Sequence, residues 1–361
     1  MEKKTYSVIT GTGSYIPTRV VKNEDFENNV FYESNGTIID KSGKEISEKF
    51  LEITTIAERR YITDDMITSD MAFLAASEAI KAAGIDQEEL DYVIVSNNFG
   101  DTSIDNRASD HVPAMSSKVK QKLGIRNPDT VAYDITFGCP GWLQAVIQAD
   151  YFIKSGDAKK ILVIGAEVLS RISDPHDRDC MLYADGAGAV VIEARESTTP
   201  LGIIAHKTRS DTLNHAGLLH MGSAYKPDFE NPKDLFLKMN GRRLYQYALE
   251  TVPQAIKACL DKSGYSIDNV NKVLIHQANG KMDDAILKRL YSLYGIENTP
   301  HDVMPMTVHN LGNTSVATLP TLYDLILKEN WENHQINVGD VIVFASVGAG
   351  MNINAMVYKV A

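Results

Sequence analysis

The segment Thr136-Phe137-Gly138-Cys139-Pro140-Gly141-Trp142 has the residue types of a nucleophile turn. It joins a strand-like run, Val131–Ile135, to a helix-like stretch that begins at Trp142. Pro140 suits the first helical position, because its missing N–H is one that the first turn leaves unpaired anyway. Cys139 is therefore expected at or next to the N-cap. There the positive end of the helix favours a thiolate over a thiol, and the thiolate is the attacking species. Glycines on both sides let a thioester approach closely. Cys180 and Cys259 lack such a setting and read as small buried hydrophobes, the ordinary fate of a free cysteine.

A thiolate needs a proton partner. Among nine histidines, His276 stands out because it directly follows the buried-looking strand Lys272-Val273-Leu274-Ile275. Ligands in α/β sheets collect beyond the carboxyl ends of strands. His206, His215, His220 and His334 lie in polar or loop-like sequence. No histidine pair has the HxxxH or HExxH spacing of a helical metal site, so no metal is expected, and the chemistry calls for no cofactor. A third group is Asn313, in the turn Gly312-Asn313-Thr314-Ser315. Its carboxamide offers an N–H donor without charge and can bind a developing enolate oxygen without titrating. Gly348-Ala349-Gly350, after another buried strand, can present a backbone N–H to an oxyanion.

These groups must be positioned by an alternation of helices and strands. Helical patterns run from Ser69 to Ala83, Trp142 to Lys154 and Thr318 to Glu329. Each leads into a short apolar run, at Leu90–Val95, Ile161–Ile164 and Val341–Phe344. Continuous apolar strands between helices predict an α/β fold with helices covering parallel strands. The order also repeats. Ala79-Ile80-Lys81-Ala82 leads to Val93-Ile94-Val95 as Ala255-Ile256-Lys257-Ala258 leads to Val273-Leu274-Ile275. The Cys139 and Asn313 turns then follow in matching places, each with its helix, strand and small-residue end (Asp185–Ile192 and Gly348–Val357). The chain thus reads as two duplicated halves, 1–196 and 197–361, whose turns face each other across a pseudo-twofold axis. Two segments break the rhythm. Asn29–Glu48, with Asn35-Gly36 and Ser42-Gly43, predicts a β-hairpin or flap, and Gly100–His111 is a long polar loop.

Composition agrees with a globular protein. The 361 residues are 44% apolar, enough for a large core. The net charge of −11 argues against nucleic acid as a partner. Three cysteines make no disulfide framework and fit a reducing compartment. No apolar run reaches the ~18 residues of a membrane span, and the start is too short and polar for a signal peptide. A cytoplasmic protein without membrane contact is expected.

Cys139 in DITFGCPGW, His276 in IHQAN, Asn313 in NLGNTS and the terminal VGAGMNINAMV resemble the β-ketoacyl-acyl carrier protein synthase III branch of the thiolase superfamily. The likeness runs from Thr10-Gly11-Thr12-Gly13 to the C-terminus. It implies a five-layered αβαβα thiolase-like fold, a homodimer, and a Cys139-His276-Asn313 triad. It also implies the following chemistry. Cys139 takes an acyl group from a thioester, on carrier protein or CoA. The backbone N–H groups of Cys139 and Ala349 stabilise the oxyanion. His276 and Asn313 bind the enolate left when a malonyl-type extender loses CO₂, and that enolate attacks the acyl-cysteine in a Claisen condensation. Carrier-protein docking falls to Lys281, Lys288 and Arg289, a local basic patch for an acidic partner.

The chain departs from the fatty-acid-priming members in three places. Lys49 and Ile53 stand where those enzymes carry a Trp and an Arg against the adenine of CoA. The polar insert lengthens the same region. Val112, before Pro113, replaces the Phe that limits the acyl pocket at the dimer interface. These changes suggest a specialised ketosynthase taking a longer acyl chain, such as a dialkylresorcinol- or cyclohexanedione-forming enzyme. The alternatives are the housekeeping primer of fatty acid synthesis and a same-fold acyltransferase making C–O or C–N bonds. A Cys-His hydrolase or a non-catalytic subunit of this fold fits less well, since the full triad is present and no water-activating carboxylate is evident.

Overall fold

Nine strands and seven longer helices carry the site. In chain order the strands are β1 (Lys4–Tyr15), β2 (Tyr92–Ser96), β3 (Val131–Ile135), β4 (Lys160–Val168), β5 (Asp185–Ser197), β6 (Gly202–Ser210), β7 (Val270–Ile275), β8 (Val341–Gly348) and β9 (Asn352–Lys359). The helices are α1 (Gly43–Thr54), α2 (Thr68–Ala83), α3 (Met115–Leu123), α4 (Gly141–Ser155), α5 (Gly241–Ser263), α6 (Gly280–Ser292) and α7 (Thr318–Glu329). The computed structural model describes residues 2–361.

The strands form two sheets, β1-β5-β4-β2-β3 and β6-β9-β8-β7. Both run by the same rule. The first strand pairs antiparallel with the last, the last antiparallel with the one before it, and the next pairing is parallel. The second sheet lacks a counterpart of β3. In its place Val273 N–H donates to the Val303 carbonyl at 2.8 Å, so a loop covers that edge.

Helices α2 and α3 pack on the outer face of the first sheet, and α5 on the outer face of the second, with α6 against α5. Between the sheets lie α4 and α7, each touching both. This makes five layers. The middle layer forms because α4 and α7 are apolar on more than one side. Trp142, Leu143, Val146 and Leu322 are buried together with Ile94 and Val163 from one sheet and Phe344 and Met356 from the other. Burial of this kind contributes roughly 25 cal/mol per Å² of apolar surface. The α4 helix stops at Gly156, whose φ of +84° suits the left-handed cap.

The strand predicted over Leu90–Val95 is shifted by two residues at its start, and those at Ile161 and Val341 extend to Val168 and Gly348. The hairpin expected in Asn29–Glu48 is reduced to one bridge, Tyr32 with Ile38, and helix α1 takes over from Gly43. Ser42 explains the change. Its hydroxyl accepts from Glu45 N–H while the Glu45 carboxylate accepts from Ser42 N–H, a capping box that starts a helix where Ser-Gly had suggested a turn. Among the described residues no helix is long and apolar enough to cross a membrane.

Candidate active site

Strand β3 delivers the chain to Gly138, whose φ of +65° turns it into α4. Gly141 N–H closes the turn on the Gly138 carbonyl at 2.9 Å. Pro140 is the N-cap, so Cys139 stands one residue ahead of it. The last residues of β8 press against this turn from the other half. A Cβ on Gly138 would lie 2.6 Å from Ala349 N, and one on Gly348 would lie 2.5 Å from Cys139 N. The two backbone N–H groups proposed for the oxyanion are thus brought side by side by two glycines. Gly348→Ala is expected to cost about 1–3 kcal/mol of stability. By displacing the Cys139 N–H it should also slow acylation by on the order of 10–10²-fold. Denaturant unfolding and the rate of acyl transfer to Cys139 check both.

His276 leaves the end of β7 with its N–H donating to the Ala345 carbonyl at 2.8 Å. Burial pulls its imidazole down to about 4, and its Nδ1 has no hydrogen-bond partner. The ring is therefore neutral at ordinary pH and can donate one N–H. The two polar residues that follow are structural. Gln277 donates to the Pro305 carbonyl at 2.8 Å and accepts from Thr307 N at 2.7 Å and Val308 N at 3.1 Å, fixing the loop that leads to Asn313. Asn279 caps α6 through Met282 N.

Asn313 is pinned on both sides by backbone. Its N–H donates to Leu182 and its carbonyl accepts from Ala184, each at 2.9 Å. Its Oδ1 accepts from Ser315 N–H at 2.9 Å, which leaves the Nδ2 group as the side chain's available donor. The following turn rests directly on β4, where a Cβ on Gly165 would come 2.3 Å from the Val316 carbonyl oxygen.

Burial corrects the expectation of a resting thiolate. It pushes the Cys139 thiol up to about 11, against a lowering hydrogen bond from Ser315. Removal from water outweighs the favourable end of the helix and favours the thiol over the thiolate. Two residues that sequence reasoning missed stand close by. Ser315 Oγ is 3.5 Å from Cys139 Sγ, and Glu167 Oε2 is 3.5 Å from the same hydroxyl. Glu167 was legible only as a lone acid inside the apolar run of β4.

One cavity of about 910 Å³ lies in front of the cysteine turn, with Glu167 behind its wall. Cys139, His276, Asn313, Ser315 and Ala349 line it together, as do Lys49 and Ile53. Ile39, Ile46 and Phe50 from the polar insert and α1, and Leu237, Met239 and Leu244 opposite, make its walls apolar. Exposed Lys41, Lys49, Arg178 and Arg242 give it a cationic mouth, with Lys49 paired to Glu52 and Arg178 to Glu33. Val112 is not among its walls and lies 86% exposed on the outside of the chain. Lys281, Lys288 and Arg289 share the exposed face of α6, also outside the cavity. Among the described residues no three His, Cys, Asp or Glu side chains converge as metal ligands.

Residues 133–212, which include Cys139, match the family described as 3-Oxoacyl-[acyl-carrier-protein (ACP)] synthase III. Residues 260–360, which include His276, Asn313 and Ala349, match the C-terminal part of that family. The β-ketoacyl-[acyl-carrier-protein] synthase III of Staphylococcus haemolyticus is 34% identical over 352 residues, covering 97% of this chain and 98% of the relative. The chain belongs to the 3-oxoacyl-[acyl-carrier-protein] synthase III family. The fold agrees. The synthase III of Aquifex aeolicus superposes with a TM-score of 0.80 at 30% identity, covering 98% of this chain and 99% of the other. The priming β-ketosynthase of the R1128 polyketide biosynthetic pathway gives the same TM-score at 26% identity, covering 99% and 97%. The five layers described above are thus the thiolase-like α/β architecture of the synthase III family, whose members are ketosynthases, that is, condensing enzymes.

Proposed function

We propose that the protein is a ketosynthase that forms a C–C bond between a Cys139-bound acyl group and a malonyl-type thioester, and that its acyl chain is longer than acetyl. What carries the reading is that Cys139, His276 and Asn313 line one cavity, with the N–H groups of Cys139 and Ala349 beside them. Halves 1–196 and 197–361 each supply part of this set. Cys139 attacks the thioester carbonyl and its proton passes to the neutral His276 imidazole. The two backbone N–H groups receive the oxyanion, and the departing thiol takes a proton. After decarboxylation of the extender, His276 N–H and Asn313 Nδ2 hold the enolate oxygen until its carbon attacks the acyl-cysteine. Donors placed in advance for that charge are commonly the largest catalytic contribution.

The longer acyl chain is supported by the wall that Ile39, Ile46, Phe50 and Ile53 add to the cavity. Lys49 and Ile53 in place of an aromatic and an Arg favour donor delivery by an acidic carrier protein over CoA, as do the cationic mouth and the exposed Lys281, Lys288 and Arg289 on α6. A homodimer and a cytoplasmic site of action go with this reading. Mass spectrometry of the Cys139 peptide after incubation with a mixed panel of short, medium and long acyl thioesters, on CoA and on carrier protein, tests it. Medium or long acyl groups are expected on Cys139. An adduct formed from acetyl-CoA alone would return the protein to the role of a fatty-acid primer.

A further inference from the structure

The region behind the nucleophile holds a buried carboxyl group that the mechanism above does not use. Glu167 lies near the end of β4 and is 0% exposed. Its Oε1 accepts from Asn98 N–H at 3.2 Å and its Oε2 from Asn98 Nδ2 at 2.6 Å. Asn98 Oδ1 in turn accepts from Gly138 N–H at 3.0 Å, so the carboxyl group braces the turn that presents Cys139. From the other side Ser315 Oγ spans the gap between Glu167 Oε2 and Cys139 Sγ, 3.5 Å from each. Ser315 holds a left-handed φ of +53°, a strain of the kind that persists where surrounding structure enforces it at a working site.

A serine hydroxyl has one proton and cannot donate to both neighbours at once. If the carboxyl group is ionised, the hydroxyl turns to it, and the sulfur loses its donor and gains a like charge nearby. If the carboxyl group is neutral, its own O–H can donate to Ser315 Oγ, and the hydroxyl proton is free for sulfur. We propose that Glu167 is a positioning residue for Cys139, acting through Ser315 as the neutral acid, so that the negative charge the sulfur carries as it attacks, and again as it leaves during condensation, is not opposed by a carboxylate behind it. The inference rests on Cys139 being the nucleophile. Burial raises the Glu167 carboxyl to about 7, so the neutral acid predominates below neutral pH and makes up about half of the population at it.

The remaining titratable groups on elements packed against β4 have partners of their own. Asp185 on β5 holds Ser170, Glu193 on β5 meets Lys160, and Asp150 on α4 meets Lys154. Asp70 and Glu78 on α2 meet Lys122 and Lys81, and Tyr92 on β2 donates to Asp157. His276 and Tyr183 line the cavity in front of Ser315.

The test is the pH profile of Cys139 alkylation by iodoacetamide in the full chain, read by peptide mass spectrometry. Glu167→Gln keeps a donor toward Ser315 and removes the charge, so the midpoint should move toward acid by about one unit. In the Glu167→Gln background, where the hydroxyl is free to donate to sulfur, adding Ser315→Ala removes that donor, and the midpoint should move back toward alkali by a similar amount. Opposite shifts would not come from general loosening of the structure, which changes rates without splitting the two variants. A Glu167→Gln profile that superimposes on the native one, or that the added Ser315→Ala leaves in place, would overturn the proposal. If Glu167→Gln does not fold, Ser315→Ala decides through the alkylation rate below neutral pH, where the neutral carboxyl leaves the hydroxyl to sulfur and the variant should react several-fold more slowly than the native protein. Cys139 that neither alkylates nor takes an acyl group in the native protein would instead remove the nucleophile assignment on which the proposal stands.

Discussion

Cys139→Ala is expected to abolish acyl transfer to the protein and to lower condensation by on the order of 10⁴–10⁶-fold, as removal of a nucleophile does elsewhere. The native protein should gain one acyl mass at Cys139 and the variant none. The other two cysteines cannot substitute. Cys180 and Cys259 are buried and do not line the cavity. Burial raises all three thiols, Cys259 to about 12 and Cys139 to about 11, so acidity does little to choose among them. Access does, because only Cys139 has the cavity in front of it and the Ala349 N–H beside it. An acyl adduct that persists in the alanine variant would show that the thioester is attacked from another residue.

Asn313→Ala separates the two halves of the reaction. In the proposed mechanism its Nδ2 group serves the enolate, and nothing in acyl transfer to Cys139 needs it. Condensation should fall by about 10²–10³-fold, the usual loss for one donor to a developing oxyanion. The yield and rate of the acyl-Cys139 adduct should stay within a few-fold of native. Single-turnover acylation followed by addition of the malonyl thioester measures the two steps in turn. Equal loss in both would mean that Asn313 acts on the nucleophile instead, through the Ser315 N–H that its Oδ1 holds. Full activity in both would mean that Asn313 does not hold the enolate, whereas a native protein that takes the acyl group yet forms no C–C bond with the malonyl thioester would favour an acyltransferase that forms C–O or C–N bonds.

Where side-chain patterning decides the local structure, the sequence was informative. Val131–Ile135 and Thr318–Glu329 have the boundaries their apolar periodicity predicts. The three motif residues line one cavity because each sits just past a strand or in a glycine turn, signals that survive without coordinates. What was not legible depended on the surroundings. The state of the Cys139 proton turned on desolvation, which comes from residues scattered over both halves. The insert before α1 carries hairpin signals, yet a capping box beginning at Ser42 wins because it satisfies first-turn N–H groups of a helix. Ser315 and Glu167 are separated by most of the second half of the chain, and only the close seating of the Asn313 turn on Gly165 puts them together.

The contact between Gly138-Cys139 and Gly348-Ala349 ties chemistry to the completion of synthesis. A ribosome makes the cysteine long before it makes the loop that must lie against it. Until the later strands fold into place, the thiol lacks the oxyanion site and the imidazole proposed for it. In that reading a chain that has not folded its second half carries an idle sulfur.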